Sequence, residues 1–259
     1  MVRVLLINKR RMTLFLFLFI FGVLGISFAS WNVPVPSLVR TPGTYFMVHT
    51  QEKVIALTFD DGPDPNYTEM VLDALKEKDV KATFFVLGEN VEHNPELLLE
   101  IYKAGHEIGN HGYSHSYSSS QAVRELVKTD QIIFNSLHQH TYFYRPPGGF
   151  VSKGVLQGVK AKGYLFTLWS IDSKDWRNPG VNRIVENVVG SSFPGAIILL
   201  HDGGEKREQT AEALKVIVDR LRKDGYRFVT LTELQRFEGK NSQIPTYKSE
   251  VSQDKGTGF

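Results

Sequence analysis

Asp60 and Asp61 stand side by side at the end of an apolar run, in Thr58-Phe59-Asp60-Asp61-Gly62-Pro63. Neighbours on a strand point to opposite faces, so both carboxylates reach one site only if the chain turns there, which Gly62 and Pro63 permit. One of them can then bind a cation while the other stays free as a base. Taken alone, Asp-Gly-Pro makes an equally good capped turn. The segment His111-Gly112-Tyr113-Ser114-His115 offers two imidazoles four residues apart, a spacing that brings both to one metal from a single turn of chain. Gly112 and the serines that follow argue against a long helix. Two imidazoles plus a carboxylate from another loop leave positions open for water and substrate, the mark of a catalytic rather than a structural metal centre. Zinc is the default ion, and such a donor set also accepts cobalt, nickel or manganese.

Three further segments carry chemistry. Arg145-Pro146-Pro147-Gly148-Gly149 sets a guanidinium before a stiff turn and then backbone that a ligand can approach closely; a buried Arg145 needs a carboxylate, and Asp60 is the evident candidate. Asp172-Ser173-Lys174-Asp175-Trp176 combines acids with an aromatic suited to a sugar-stacking wall, or equally to a capped loop over a core Trp. Ile197-Ile198-Leu199-Leu200-His201-Asp202 is a buried strand that delivers His201 to its rim. There it can act as a general acid if a carboxylate orients and charges it. His49, His93, His138 and His140 read as surface or linker residues, and His106 as a hydrogen-bonded core residue.

The elements that must hold these groups follow from periodicity. Short apolar or β-branched runs predict strands over 54–59, 82–86, 107–110, 142–145, 164–169, 196–200 and 227–230. Three- and four-residue apolar spacing predicts helices over 67–78, 95–104, 120–138, 152–161, 181–189 and 209–223. Pro95 suits a first helical turn, and Gly105, Gly163 and Gly225 stand where helices end. Seven β/α units imply a parallel sheet, open or closed into a barrel. The polar clusters follow the first, third, fourth, fifth and sixth strands. In a parallel α/β fold those positions share the carboxyl-end face, where such folds place active sites.

The 259 residues, 42% hydrophobic, suffice for one large domain. No cysteine is present, which excludes disulfides, thiolate metal sites and a cysteine nucleophile. The basic cluster Lys9-Arg10-Arg11, the apolar run from Met12 to Ala29 with five Phe, and the small residues around Ala29 predict export. Residues 1–29 are either a cleaved signal peptide or a retained anchor, the membrane contact in the second case being residues 12–29 alone. Removing them turns the formal charge of +2 into −2, which argues against nucleic acid as a partner. Residues 30–52, with Pro34 and Pro36, read as an extended linker, 53–237 as the catalytic domain, and 238–259 as a flexible polar tail. A secreted or envelope-associated monomer is expected.

Together and in this order, the five segments closely resemble the motif set of the NodB-homology polysaccharide deacetylases, carbohydrate esterase family 4, over roughly residues 53–237. The resemblance implies an α/β fold, a distorted (β/α) barrel of seven or eight units forming a single catalytic domain. It makes Asp60 the catalytic base and Asp61, His111 and His115 the ligands of one divalent metal, with Arg145 holding Asp60. His201 becomes the general acid and Asp175 tunes it. Pro147, Gly148, Trp176 and Leu199 line the substrate, with Trp176 and Leu199 shaping a pocket for the acetyl methyl and a backbone N–H near Gly148 facing the oxyanion. The expected activity is metal-dependent removal of N-acetyl groups from an acetylated cell-wall glycan, peptidoglycan preferred and chitin oligomers also open. The alternatives are an O-acetyl esterase on xylan-like glycan, a hydrolase of small cyclic amides, and a non-catalytic glycan-binding surface protein. One departure stands out: many relatives carry an aromatic after the paired prolines, where this chain has Gly148 and then Phe150.

Overall fold

The computed structural model describes residues 43–238. The expected signal peptide or anchor at 1–29, the first part of the linker and the tail from residue 239 onward lie outside the described residues. Among the described residues no helix is long and apolar enough to cross a membrane.

Eight strands form one sheet: β1 (Val54–Asp60), β2 (Thr83–Val86), β3 (Glu107–Asn110), β4 (Phe143–Tyr144), β5 (Leu165–Phe166), β6 (Ile171–Asp172), β7 (Ile197–His201) and β8 (Arg227–Phe228). Their order is β5-β4-β3-β2-β1-β7-β6, with β8 beside the first residues of β1, and every ladder is parallel. The helices between them are α1 (Thr68–Glu77), α2 (Gly88–His93), α3 (Pro95–Lys103), α4 (Ala122–Leu137), α5 (Lys153–Ala161), α6 (Val181–Val189), α7 (Glu208–Lys223) and α8 (Leu231–Gln235). The sheet is curled into the distorted barrel that was expected.

Strand β1 shows how side-chain alternation builds the site. Ile55, Leu57 and Phe59 face the outer core shared with Val71, Leu75, Leu214, Ile217 and Val218 of α1 and α7. Val54 and Ala56 face the inner core with Phe85, Phe143, Leu165 and Ile197. Thr58 and Asp60 continue that inner parity, so the barrel interior is apolar below and polar at the carboxyl ends of the strands.

Two expectations need correction. The linker expected to run to residue 52 is already part of the barrel from Tyr45: Tyr45 and Val48 are fully buried. Tyr45 N–H donates to the Phe166 carbonyl (2.8 Å) and Val48 N–H to that of Gly195 (2.9 Å). The segment thus spans from the β5 end of the sheet to the start of β7, and its four consecutive apolar residues supply the buried surface that holds it. Of the strand expected over 164–169 only β5 forms at 165–166, because Leu168 N–H turns to the Tyr45 carbonyl (2.7 Å) and Ser170 N–H to the Ile197 carbonyl (3.0 Å), and the chain then enters β6 at 171–172 beside β7. Helix α8, absent from the sequence expectation, starts on a capping box between Thr230 and Glu233. Gly105, Gly163 and Gly225 end their helices at φ of 82°, 84° and 88°, as their type suggested.

Candidate active site

Asp60 ends β1, and in the parallel register its neighbour on β7 is His201. The β1 strand stops there because Asp61 adopts φ 76°, a left-handed conformation that few residues other than Gly, Asn and Asp accept. That rotation is the turn needed for both carboxylates to serve one site. The turn is packed tightly against the chain that follows β7. A Cβ on Gly62 would lie 2.2 Å from Asp202 Oδ2, and one on Gly203 would lie 2.2 Å from the Asp61 carbonyl oxygen, so neither position has room for a side chain. Asn90 Nδ2 donates to the Asp61 carbonyl (2.7 Å), and the Thr68 hydroxyl donates to Asp202 Oδ2 (2.6 Å). Burial pushes the Asp202 carboxyl up to about 7.

His111 and His115 sit on a loop, not on a helix, and converge through positive φ at Gly112 (84°) and His115 (57°). Helix α4 holds this loop. Glu125 accepts from the backbone N–H of Tyr113 (2.9 Å) and Ser114 (3.2 Å) and from the Ser114 hydroxyl (2.9 Å), while Thr129 donates to the Gly112 carbonyl (2.9 Å). Glu125→Ala is therefore expected to weaken metal binding by roughly tenfold or more, since the support of metal ligands commonly carries that much. Titration of the metal-free protein with zinc checks it, and unchanged affinity would refute the clamp.

The Asp61 carboxylate, His111 and His115 place one ligand atom each within 4.8 Å of one another. His111 Nδ1 faces the Arg145 carbonyl at 2.8 Å. A carbonyl only accepts, so Nδ1 carries the proton and Nε2 of the neutral ring is a lone pair. That lone pair lies 3.4 Å from Asp61 Oδ1, which is 3.3 Å from His115 Nε2. Asp61 Oδ1 is buried and has no hydrogen-bond partner among the described residues. An acceptor oxygen and an imidazole lone pair aimed at each other repel unless a positive charge joins them, so the donor set fits a divalent cation.

Asp60 is buried beside this cluster, with Oδ2 at 3.7 Å from His111 Nε2. Its Oδ1 accepts from Arg145 Nη1 (2.7 Å). The fully buried Arg145 also donates from Nη1 to Thr58 Oγ1 (2.9 Å) and from Nη2 to the Leu168 carbonyl (2.9 Å), with its guanidinium 4.0 Å over the Phe85 ring. One oxygen of Asp60 is thus tied down and the other turned to the cluster.

On the other side, Asp175 Oδ1 lies 2.7 Å from His201 Nδ1, and Asp175 Oδ2 accepts from His201 N–H (2.8 Å) and the Thr210 hydroxyl (2.9 Å). Nε2 is the ring nitrogen left for a substrate. Burial opposes the imidazolium of His201, but Asp175, and after it Asp60 and Asp61, prevail and push its pKa up to about 9. Leu199 shares the inward parity of His201 and is buried beneath it, and Pro147 is buried in the turn after β4. Trp176 is 42% exposed, with its indole N–H on Asp172 (3.4 Å) and the Arg177 guanidinium 4.5 Å over its ring.

The residues singled out by type and spacing therefore meet on one face. Glu125, Thr129 and Thr210 went unrecognised in the sequence, because each acts on a segment distant in the chain and none carries a local motif. Tyr117, beside His115, was also missed. The remaining histidines stand apart. His106 is buried and accepts the Ala82 N–H at Nδ1 (3.2 Å), with burial and Lys81 lowering its pKa to about 4. His140 pairs with Asp130 (2.6 Å) at the far end of α4.

Residues 47–167 match the family model described as polysaccharide deacetylase. A peptidoglycan-N-acetylglucosamine deacetylase of Bacillus cereus is 45% identical over 74% of this chain and 92% of its own length. The peptidoglycan-N-acetylmuramic acid deacetylase PdaC of Bacillus subtilis is 36% identical over 73% of this chain but only 40% of its own. Among solved structures, a peptidoglycan N-acetylglucosamine deacetylase in complex with 4-naphthalen-1-yl-N-oxidanyl-benzamide superposes with a TM-score of 0.73 at 36% identity, covering 78% of this chain and 98% of the other. With a relative this similar along nearly its whole length, the same barrel, and the expected residues gathered at one end of it, the chain belongs to the polysaccharide deacetylase family.

Proposed function

We propose that this protein removes N-acetyl groups from a cell-wall glycan, peptidoglycan first, releasing acetate and leaving a free amine. The observation that carries the reading is the division of labour at the site: Asp60 presents one free carboxylate oxygen to the metal-binding triad, while His201 is held as an imidazolium by Asp175. Asp61, His111 and His115 would hold a divalent cation, zinc first, which when bound would supply Lewis acidity to the acetyl carbonyl and to water. Asp60 takes the proton of the attacking water, oriented by Arg145. A main-chain N–H at Gly148 faces the developing oxyanion. His201 gives its proton to the departing nitrogen, which as an amide nitrogen cannot leave unprotonated. Pro147, Leu199 and Trp176 bound the acetyl and sugar positions.

Relatives named for both peptidoglycan hexosamines support the glycan, and the basic and apolar residues 1–29 support export to the cell envelope. Muropeptides, chitin oligomers and acetylxylan, each supplied with zinc, cobalt, nickel or manganese, test the reading when acetate and free amine are both quantified. Equal release of acetate and amine from muropeptides is expected. Acetate without amine, from acetylxylan alone, would replace the amidase with an O-acetyl esterase.

A further inference from the structure

The large apolar side chains left exposed among the described residues fall into two sets. Met70, Val127 and Val216 lie one each on the helices α1, α4 and α7. The other three are aromatic, Tyr117, Phe150 and Trp176, and all stand in loops that follow strands β3, β4 and β6. They therefore share the face that carries the site. Exposed aromatics are costly to leave in water, and three confined to one face mark a contact surface.

Tyr117 and Phe150 form a pair. They are 61% and 62% exposed, and their rings meet edge to face at 5.5 Å. Tyr117 in turn meets the His115 ring edge-on at 5.2 Å, and His115 lies 5.4 Å from His111. An unbroken line of rings thus runs outward from the metal-binding histidines. Gly148 explains how the pair fits. It stands at φ 64°, and a Cβ there would lie 2.7 Å from Tyr117 Cε1 and 3.1 Å from Phe150 Cε2. The two rings occupy the room that a side chain at 148 would need. They border a narrow cleft whose other lining residues include Ser116, Ser118, Ser119 and Pro146, so an apolar face is edged by hydroxyls. That combination suits a pyranose, which offers a C–H face to an aromatic ring and hydroxyls around its rim.

We propose that Tyr117 and Phe150 together form the glycan-stacking platform next to the reacting sugar, one ring from each of two loops, and that this pair sets the preference for longer chains. The proposal rests on the deacetylase reading above and deepens it. The platform touches the neighbouring sugar rather than the acetyl group, so it contributes binding equally to ground and transition states and acts on KM rather than kcat.

The test uses the metal-loaded protein and chitin oligomers of increasing length, with kcat and KM from acetate release and, independently of turnover, dissociation constants from calorimetry. Tyr117→Ala/Phe150→Ala should raise KM and Kd for the longer oligomers roughly tenfold, with kcat at saturation changed far less. Tyr117→Phe, which keeps the ring, should rescue binding, and Val216→Ala on the outer helix should match the parent protein. Longer oligomers bound within about twofold of the parent by the double variant would overturn the platform. So would a loss confined to kcat and metal content, since the rings would then only support His115. Ring-dependent binding without acetate release would sink the deacetylase reading and leave the platform standing; release unaffected by the variants would do the reverse.

Discussion

Asp60→Asn is expected to lower kcat by ~10²–10⁴ while the protein keeps its metal. The substitution removes the one free carboxylate oxygen turned toward the triad, yet leaves Asp61, His111 and His115 in place. An amide oxygen can still accept from Arg145 Nη1, so the loop geometry survives, but the guanidinium loses the countercharge beside it in a fully buried position. Breaking a buried pair in this way costs up to about 3–5 kcal/mol of stability. Three measurements separate the effects: acetate release at saturating substrate, metal content by elemental analysis, and a thermal melt confirming the folded state at the assay temperature. Turnover within about tenfold of the parent protein would remove Asp60 from the role of base.

Asp175→Asn is expected to move the alkaline limit of activity downward and to cost roughly 10²-fold or more near pH 8. His201 is held charged up to about pH 9 because Asp175 leads the influences that offset its burial. Without that carboxylate only Asp60 and Asp61 remain to offset burial, so the imidazole pKa falls. The parent protein should therefore hold its rate until the pH approaches 9 and lose it above, whereas the variant should lose its acid at a lower pH. The amide adds a second conflict: its NH2 must face the ring Nδ1–H or the donors His201 N–H and Thr210 Oγ1. For stability the sign follows the raised pKa. The pair's contribution is complete below about pH 6.5 and is lost as the pH rises through about 9. A pH–rate profile of both proteins decides the matter, and superimposable alkaline limbs would show that another group sets them.

Both effects depend on supports that were unequally legible. Arg145 could be paired with Asp60 from residue type and strand-end position alone, since a buried guanidinium requires a carboxylate and few were on offer. Asp175 was assignable only through the resemblance, because Asp172 stands three residues before it and nothing local distinguishes the two. Its selection depends on the Thr210 hydroxyl and the His201 backbone reaching it across 35 and 26 residues. Glu125 was invisible for the same reason. A glutamate in the first turn of a helix reads as an ordinary surface acid, and only the fold puts it against the backbone of the His111–His115 loop.

The sequence by itself determined the parallel α/β architecture and the face on which the metal triad, Asp60, Arg145 and His201 must lie. Strand parity and strand-end placement are local properties, written in the period of the apolar residues. The tertiary structure alone decided how those residues meet. Asp61 turns out of line with Asp60 through a left-handed backbone that is packed against residues 202 and 203. The two histidines converge on a loop clamped from α4 rather than along one helical face. The space beside Gly148 is taken up by the rings of Tyr117 and Phe150 from different loops. Each of these rests on contacts between segments distant in the chain, which no local periodicity encodes.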